Sequence, residues 1–139
     1  MKKYKLTDET KVASGTTLHR IEALRDFGVV KTGDLGGWVE SENNISHDGN
    51  CWVFGDVRVY GNAWVFDNAW VSGNAQVSGN ARVYGDAEVF GGALVSGDSE
   101  VSGDARVSGD AQVSDDAKVS GDARVFGDAW DSSNLNIKD

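Results

Sequence analysis

Few side chains in this sequence are of the types that commonly carry out chemistry. The chain of 139 residues has two histidines, His19 and His47, and one cysteine, Cys51. A general base must titrate near neutral pH and reach its substrate, and histidine is the usual choice. A nucleophilic cysteine needs a partly exposed, electropositive environment. The elements that hold these three residues therefore decide whether they can react.

A six-residue repeat fills most of the chain. From Gly36 to Ile137 the sequence divides into 17 blocks of six residues without an insertion, and SGDARV is a typical block. Valine occupies the sixth place of 13 successive blocks, from Val53 to Val125. Alanine occupies the fourth place in 11 of the 13 blocks between Val57 and Ala129. Self-similarity at a short, fixed period is the signature of a solenoid.

Each block predicts a short strand followed by a tight corner. Alternate residues of a strand point to opposite faces, so alanine and valine face inward while the variable fifth residue and the next Ser, Phe or Tyr face outward. The Gly-Asn or Gly-Asp pair suits the corner, because both residue types tolerate positive φ. In this frame His47 takes an inward sixth place and Cys51 an inward fourth place. We interpret His47 as a satisfied capping residue and Cys51 as a buried structural thiol.

The blocks resemble the hexapeptide repeat of left-handed parallel β-helix proteins, a superfamily that includes acyltransferases. The resemblance is carried by blocks such as VSGDAR and covers about three quarters of the chain. It implies an all-β fold, a left-handed parallel β-helix with three blocks in each triangular coil. The 17 blocks would then give five to six coils over residues 36–139, with Leu135 and Ile137 in a C-terminal end cap.

The N-terminal sequence, YKLTDET…LHRIEALRDFG…GDLGGWVESE, is similar to that of uncharacterised phage and prophage hexapeptide-repeat proteins. That similarity implies a phage-encoded protein. Residues 1–35 are predicted to form a separate cap over the first coil, because a solenoid exposes its core at its ends.

The fold of this cap has two interpretations. Val12-Ala13, Ser14-Gly15 and Thr16–Leu24 predict a β-hairpin with Ser-Gly as its turn, and we favour it. A short helix would also fit, because apolar residues recur at three-residue spacing: Leu18, Ile21, Leu24 and Phe27.

Stacking at intervals of eighteen residues gathers aromatic side chains on the outside of the N-terminal coils. Rings of this kind are typical of interface cores, and so many exposed rings should be covered by something. Three explanations stay open: the cap covers part of them, a sister subunit covers them in a homo-oligomer such as the trimer of many related proteins, or a foreign protein does. The candidate interface residues are Trp52, Phe54, Trp64, Phe66, Trp70, Tyr84 and Phe90.

Negative charge collects in the C-terminal coils. The net charge is −9, and residues 86–139 hold 12 acidic and 4 basic residues. At the strand spacing of a sheet this is about 0.6 charges per Å, as in duplex DNA. Asp86, Asp104 and Asp122 would stack along one edge, called the acidic edge below. The surface should repel nucleic acids and anionic membranes, and it suggests phosphate mimicry; the alternative is that aspartate is simply a soluble corner residue.

These features predict no catalytic, metal or cofactor site. The acyltransferases of the superfamily use a histidine base together with a protruding loop or C-terminal helix that shapes the acyl-CoA site, and this repeat has no interruption. No cluster of cysteine and histidine has the spacing of a zinc site. The single cysteine allows no intramolecular disulfide, and no apolar run is long enough for a membrane span, so a cytoplasmic location is expected.

The expected function is that of a non-catalytic, acidic interaction protein, self-associating and phage-encoded, that binds and inhibits a host defence or nucleic-acid-binding protein. An acyl-CoA-dependent acyltransferase using His19 or His47 is the first alternative. A structural or polymer-forming solenoid is the second.

Overall fold

A computed structural model describes residues 2–13, 15–126, 130–131 and 136–138, and all of its regular elements are β-strands. Three longer strands precede a series of short ones. The strands are β1 Tyr4–Ala13, β2 Thr16–Ala23, β3 Leu35–Val39, β4 Trp52–Val53, β5 Arg58–Val59, β6 Trp64–Val65, β7 Trp70–Val71, β8 Gln76–Val77, β9 Arg82–Val83, β10 Glu88–Val89, β11 Leu94–Val95, β12 Glu100–Val101, β13 Arg106–Val107, β14 Gln112–Val113, β15 Lys118–Ser120, β16 Arg124–Val125, β17 Trp130–Asp131 and β18 Asn136–Lys138.

The short strands stack into three parallel sheets, which are the sides of a triangular solenoid. Sheet one has the order β1-β2-β3-β5-β8-β11-β14-β17, sheet two has β4-β7-β10-β13-β16 and sheet three has β6-β9-β12-β15-β18. Within each sheet, neighbours from Trp52 onward lie eighteen residues apart, as in the pairs Val71–Val89 and Val83–Val101. The predicted β-solenoid of about five coils, three blocks to a coil, is confirmed.

The core is a narrow column of small side chains. The valines and alanines of the sixth and fourth places are buried from Val53 to Val125, as the block predicts. Corners stack as closely as strands do: Gly73 has a φ of 72°, and a Cβ atom there would lie 2.9 Å from the Gly91 nitrogen. Glycine is therefore required at this corner both by its backbone conformation and by the next coil.

The N-terminal segment is a β-hairpin, and the alternative of a short helix is wrong. β1 pairs antiparallel with β2, β2 pairs antiparallel with β3, and β3 pairs parallel with β5, so the hairpin extends sheet one. Leu18 and Ile21, three residues apart on β2, are both buried without a helix because they pack in different clusters: Leu18 lies with Ala13 and Trp38, and Ile21 lies in the main core. Ser14, at the predicted turn, and Leu135, in the predicted end cap, lie outside the described residues.

The prediction of a repeat without insertions is wrong at its first coil. Val39 pairs with Val59 and Ile45 with Val65, twenty residues apart, whereas Trp52 pairs with Trp70, eighteen residues apart. The corner between Ile45 and Val53 therefore holds two additional residues. Ile45, which is fully buried, fills the inward place predicted for His47.

The wider corner provides room for the start of the hairpin. The Lys3 backbone N–H donates to His47 Nδ1 (3.1 Å), and the Lys3 ammonium donates to the carbonyl oxygen of Cys51 (2.7 Å). The departure from the six-residue frame thus follows from the attachment of the cap.

Candidate interaction surface

One predicted interface residue, Trp52, does not face solvent. It is 1 % exposed, because Tyr4 and Phe27 of the N-terminal segment pack edge-on against its indole at centroid distances of 6.0 and 5.2 Å. Gly36 packs equally closely, since a Cβ atom there would lie 2.7 Å from Trp52 Cζ2. Trp52 points out of its coil as the frame predicts, but its place among the solvent-facing interface residues is wrong, because the cap covers this ring.

On sheet three the predicted aromatic residues form one continuous stack. The rings of Trp64 and Phe66 stack at 4.0 Å, and those of Phe66 and Tyr84 at 4.7 Å with an interplanar angle of 6°. The Tyr84 hydroxyl donates to Glu100 Oε1 at 2.9 Å, and this bond raises the pKa of Tyr84. The three rings support one another, yet Trp64 remains 41 % exposed.

On sheet two the aromatic residues are more dispersed. Phe54 packs edge-on against Trp70 at 5.7 Å, while Trp70 and Phe90 are each 37 % exposed. Sheets two and three meet at the edge that carries Asn50, Asn68 and the predicted acidic residues. Large rings therefore lie on both sides of this edge.

The residues of the acidic edge border an open concavity. Registered strands bring Asp86, Asp104 and Asp122 to successive coils of one edge. They line an open trough of about 770 Å³, and the other lining residues are Glu88, Arg106, Ala123 and Arg124. Arg106 Nε lies 4.0 Å from Glu88, so one carboxylate of the trough is weakly paired.

An amide ladder precedes the carboxylates on this edge. The Asn50 backbone N–H donates to Asn68 Oδ1 (3.2 Å), and Asn68 Nδ2 donates to Asp86 Oδ1 (3.4 Å). An ionised carboxylate only accepts hydrogen bonds and cannot donate one to the next coil, so the side-chain ladder ends at Asp86. The change from asparagine to aspartate along the edge is thus a change from a bonded ladder to a row of like charges.

The candidate general base His47 has no free nitrogen. Its Nδ1 accepts the Lys3 backbone N–H, which fixes the proton on Nε2, and Nε2 lies 3.1 Å from Glu42 Oε1. Its ring also stacks on Tyr4 at 4.3 Å. These contacts give His47 a structural role in holding the hairpin, as the interpretation of a satisfied capping residue expects.

The remaining candidates do not assemble into a catalytic site. Cys51 is fully buried, and burial raises the pKa of its thiol, while Lys3 Nζ lies 3.3 Å from its sulfur. Burial also lowers the pKa of Lys3. His19 lies on β2, opposite Val39 and Thr10, away from Cys51 and His47. Among the described residues no group of three or more His, Cys, Asp or Glu side chains could hold a metal ion.

Sequence reasoning missed Asp48 and Asp67, the acidic residues beside Trp64. Asp67 has a φ of 59°, a conformation that favours glycine. The signal was present in the block FDNAWV, where aspartate replaces the usual corner glycine. Its carboxylate accepts the backbone N–H of Gly85 at 3.2 Å.

Comparison with known proteins agrees with this architecture. The family model described as the YdcK beta solenoid repeat matches residues 57–73, 75–89, 101–115 and 117–133, and the described residues of these ranges fall on the stacked coils. The chain is a hexapeptide-repeat β-helix protein.

A curated relative of this repeat protein is the "Uncharacterized acetyltransferase YdcK" of Escherichia coli (strain K12), 37 % identical over 62 residues. The match covers 39 % of this chain and 19 % of the relative, so this hexapeptide-repeat chain spans about a fifth of the length of the curated protein that it matches. Within the described ranges, no helix has the length and apolar character that crossing a bilayer requires.

Proposed function

We propose that this chain is a non-catalytic interaction protein that binds a basic protein surface along the edge between sheets two and three. The observation that carries the proposal is the 770 Å³ trough along Asp86, Asp104 and Asp122, with Trp64, Trp70 and Phe90 exposed on the adjoining faces. Such a combination pairs electrostatic steering with aromatic anchors, the two features that give protein interfaces their speed and affinity.

The rigid frame supports this role. The strands and corners of this surface are hydrogen bonded to the next coil, for example through Trp70 N–H to the Ala87 carbonyl at 3.0 Å and Asp86 N–H to the Gly103 carbonyl at 2.9 Å. The surface is therefore preorganised, and little conformational entropy is lost on this side of the interface when a partner binds.

The charge of the surface suggests the class of partner. The C-terminal coils, whose combined net charge gives about the linear charge density of duplex DNA, would occupy the phosphate-binding surface of a nucleic-acid-binding protein. The similarity of the N-terminal segment to phage and prophage proteins supports a host protein as that partner, including one used in defence, which the chain would inhibit in the host cytoplasm.

The experiment is a capture from host lysate with matched variants. We expect Asp104→Asn with Asp122→Asn to abolish capture of a basic protein by removing two charges from the trough. The control, Asp110→Asn with Asp116→Asn, removes the same charge from the other two edges and should leave capture intact. Equal capture by all three proteins would contradict the proposal.

An acyl-CoA-dependent acyltransferase is a second candidate, favoured by the name of the Escherichia coli relative. His47 is engaged at both nitrogens, so His19 would have to act as base. A binding protein without this activity should show no change of melting temperature with millimolar acetyl-CoA. A clear rise would show that acetyl-CoA binds, and acyl transfer that His19→Ala abolishes would establish the acyltransferase instead.

Self-association is a further part of the proposal, because the exposed rings could equally pack against a sister subunit. Light scattering separates a monomer from a trimer. If sheet two forms the contact, Trp70→Ser should dissociate the oligomer, whereas a mass unchanged by Trp70→Ser would exclude a contact built on that ring. Growth without a fixed mass would instead indicate the polymer-forming solenoid.

A further inference from the structure

Trp64 and Trp70, both exposed, each border a depression that also contains carboxylates. The depression beside Trp64 has a volume of about 220 Å³ and is lined by Ser46, Asp48, Gly49, Trp64, Phe66 and Asp67. The depression beside Trp70 has a volume of about 340 Å³ and is lined by Gly28, Asn50, Asn68, Trp70, Asp86 and Glu88. Neither lining includes a basic residue.

This composition fits a cationic side chain better than an apolar one. A guanidinium stacks on an indole face, and its planar N–H groups can bind a carboxylate in bidentate fashion. Lysine offers only a strongly hydrated point charge, so arginine gains more from the same pair of groups. Both depressions offer an indole and two carboxylates, which is the set that arginine uses.

The corner of Asp67 places its carboxylate beside Trp64. The first corner residue is glycine at the other described places on this edge, Gly49, Gly85, Gly103 and Gly121, whereas Asp67 holds the same place with a φ of 59°. Asp115 has a similar φ of 55° on another edge, so it is the position beside the indole, and not the backbone conformation, that distinguishes Asp67. One Asp67 oxygen accepts the Gly85 N–H, and the carboxylate stays beside Trp64 and Phe66.

A third aromatic depression shows that the combination is not general. Phe90 and Phe126 line a concavity of about 320 Å³ on sheet two, but its other lining residues are Arg106, Ser108 and Arg124. Two stacked arginines there would repel a cation. Of these three depressions, only the two beside tryptophans combine an aromatic ring with carboxylates and no basic residue.

We infer that the depressions beside Trp64 and Trp70 are two subsites for arginine side chains of one protein segment that crosses the edge between sheets three and two. The inference rests on the proposed function, since it names the chemistry that this surface recognises. Asp67 and Asn68 lie in the corner between the two tryptophans, so a short extended segment can address both subsites.

The test uses a defined probe, so it does not depend on the natural partner. The peptide acetyl-(Gly-Arg)₃-amide is titrated into the intact protein while indole N–H resonances are followed by NMR. Its matched control replaces arginine with citrulline, which has the same shape without the charge. We expect binding of the arginine peptide about tenfold tighter, with shifts at Trp64 and Trp70 and none at the buried Trp52.

Variants separate the subsites from general electrostatic attraction. Trp70→Leu, Asp86→Asn and Asp67→Asn should each weaken binding of the arginine peptide about three- to tenfold. Asp110→Asn, which lies on another edge and outside the subsites, should leave it unchanged. Equal affinity for the citrulline peptide, or an equal loss with Asp110→Asn, would overturn the inference.

These experiments distinguish failure of the two arginine subsites from failure of the proposed function. If arginine peptides show no preference while the trough variants still lose the captured partner, the subsites are wrong and the interaction protein stands. If the peptide binds as expected and no partner depends on the acidic edge, the subsites stand without the wider proposal.

Discussion

Trp52 and Trp70 occupy the same place of the block, are register partners in sheet two, and have opposite environments. Trp52 is 1 % exposed and Trp70 is 37 % exposed. The difference arises from the N-terminal segment, whose Tyr4 and Phe27 rings contact only the first of the two indoles. A position in the repeat therefore determines the direction of a side chain, while the neighbouring segment determines whether it belongs to the core or to the surface.

The two regions are also stabilised differently. In the first coil, individual side chains satisfy the backbone: Tyr4 donates to the Ile45 carbonyl at 2.6 Å, and Asn44 Nδ2 donates to the Ala63 carbonyl at 2.8 Å. In the later coils the backbone of one coil bonds the next, as from Glu88 N–H to the Ala105 carbonyl at 3.0 Å. Single substitutions should consequently cost most under the cap and least on the regular coils.

The largest expected effect comes from truncating the two paired indoles. Trp52→Ala should lower the free energy of unfolding by about 3–5 kcal/mol, because it removes a large ring from a packed core. Trp70→Ala should lower the free energy of unfolding by about 1 kcal/mol, because this ring is partly exposed and has one aromatic neighbour. Urea unfolding of both variants measures the difference. Equal costs would show that the cap does not use Trp52 as its core.

The second comparison adds a methyl group instead of removing a ring. At Gly36 a Cβ atom would lie 2.7 Å from Trp52 Cζ2 and 2.8 Å from the Val53 carbonyl oxygen, so Gly36→Ala should cost about 1–3 kcal/mol. At Gly92 the nearest atom is Asp110 Oδ1 at 3.0 Å, the end of a side chain that can move. Gly92→Ala should therefore be nearly neutral. Thermal unfolding checks both; a neutral Gly36→Ala would mean that the hairpin packs less closely than described.

The regular coils could be predicted from sequence because one local rule repeats. Alternation of Ala and Val sets the inward face, the Gly-Asp pair sets the corner, and each further coil confirms the same register. Nothing comparable defines the first coil. The two additional residues before Val53 follow from the docking of the hairpin at Lys3, and a contact across 44 residues leaves no periodic trace.

The candidate surface, too, could be predicted from the sequence where the regular coils form it, but not where the first coil and the cap do. The acidic edge and the direction of Trp64 and Trp70 follow from the eighteen-residue coil. The burial of Trp52 depends on Phe27, which the six-residue frame does not position. The grouping of Asp48 with Asp67 around Trp64 needed the wide first corner, which the uninterrupted frame had excluded.

A third prediction concerns buried and exposed tyrosine hydroxyls. Tyr4→Phe removes the donor to the carbonyls of Glu42 and Ile45 and should cost about 1–2 kcal/mol. Tyr60→Phe, whose hydroxyl lies 3.4 Å from Gln76 Oε1 at the surface, should cost almost nothing. Denaturant unfolding at neutral pH compares the two. Similar costs would contradict the importance of side-chain bonds under the cap.

The same substitution should change the response to alkali. Burial raises the pKa of Tyr4, so the folded protein keeps this proton at pH values where an unfolded tyrosine, with a pKa of about 10, loses it. The contribution of Tyr4 to stability is therefore complete below about pH 10 and declines as the pH rises further. The stability gap between wild type and Tyr4→Phe should narrow above that pH. A constant gap up to pH 11 would be inconsistent with a buried hydroxyl.

The smallest effect is expected where the amide ladder becomes a row of carboxylates. Asp86→Asn keeps the acceptor for Asn68 Nδ2, adds a donor toward Asp104 and removes one of the stacked charges. We expect a gain of about 0.5 kcal/mol at low salt that shrinks in 0.5 M NaCl, since screening weakens the repulsion that it relieves. The reverse change, Asn68→Asp, should destabilise the protein by a similar amount for the same reason.

Because Asp86 also lines the Trp70 depression, a more stable Asp86→Asn protein with weaker arginine-peptide binding would show that the carboxylate is kept for recognition at a cost to the fold. A loss of stability instead would mean that the carboxylates of this edge are not in repulsive contact.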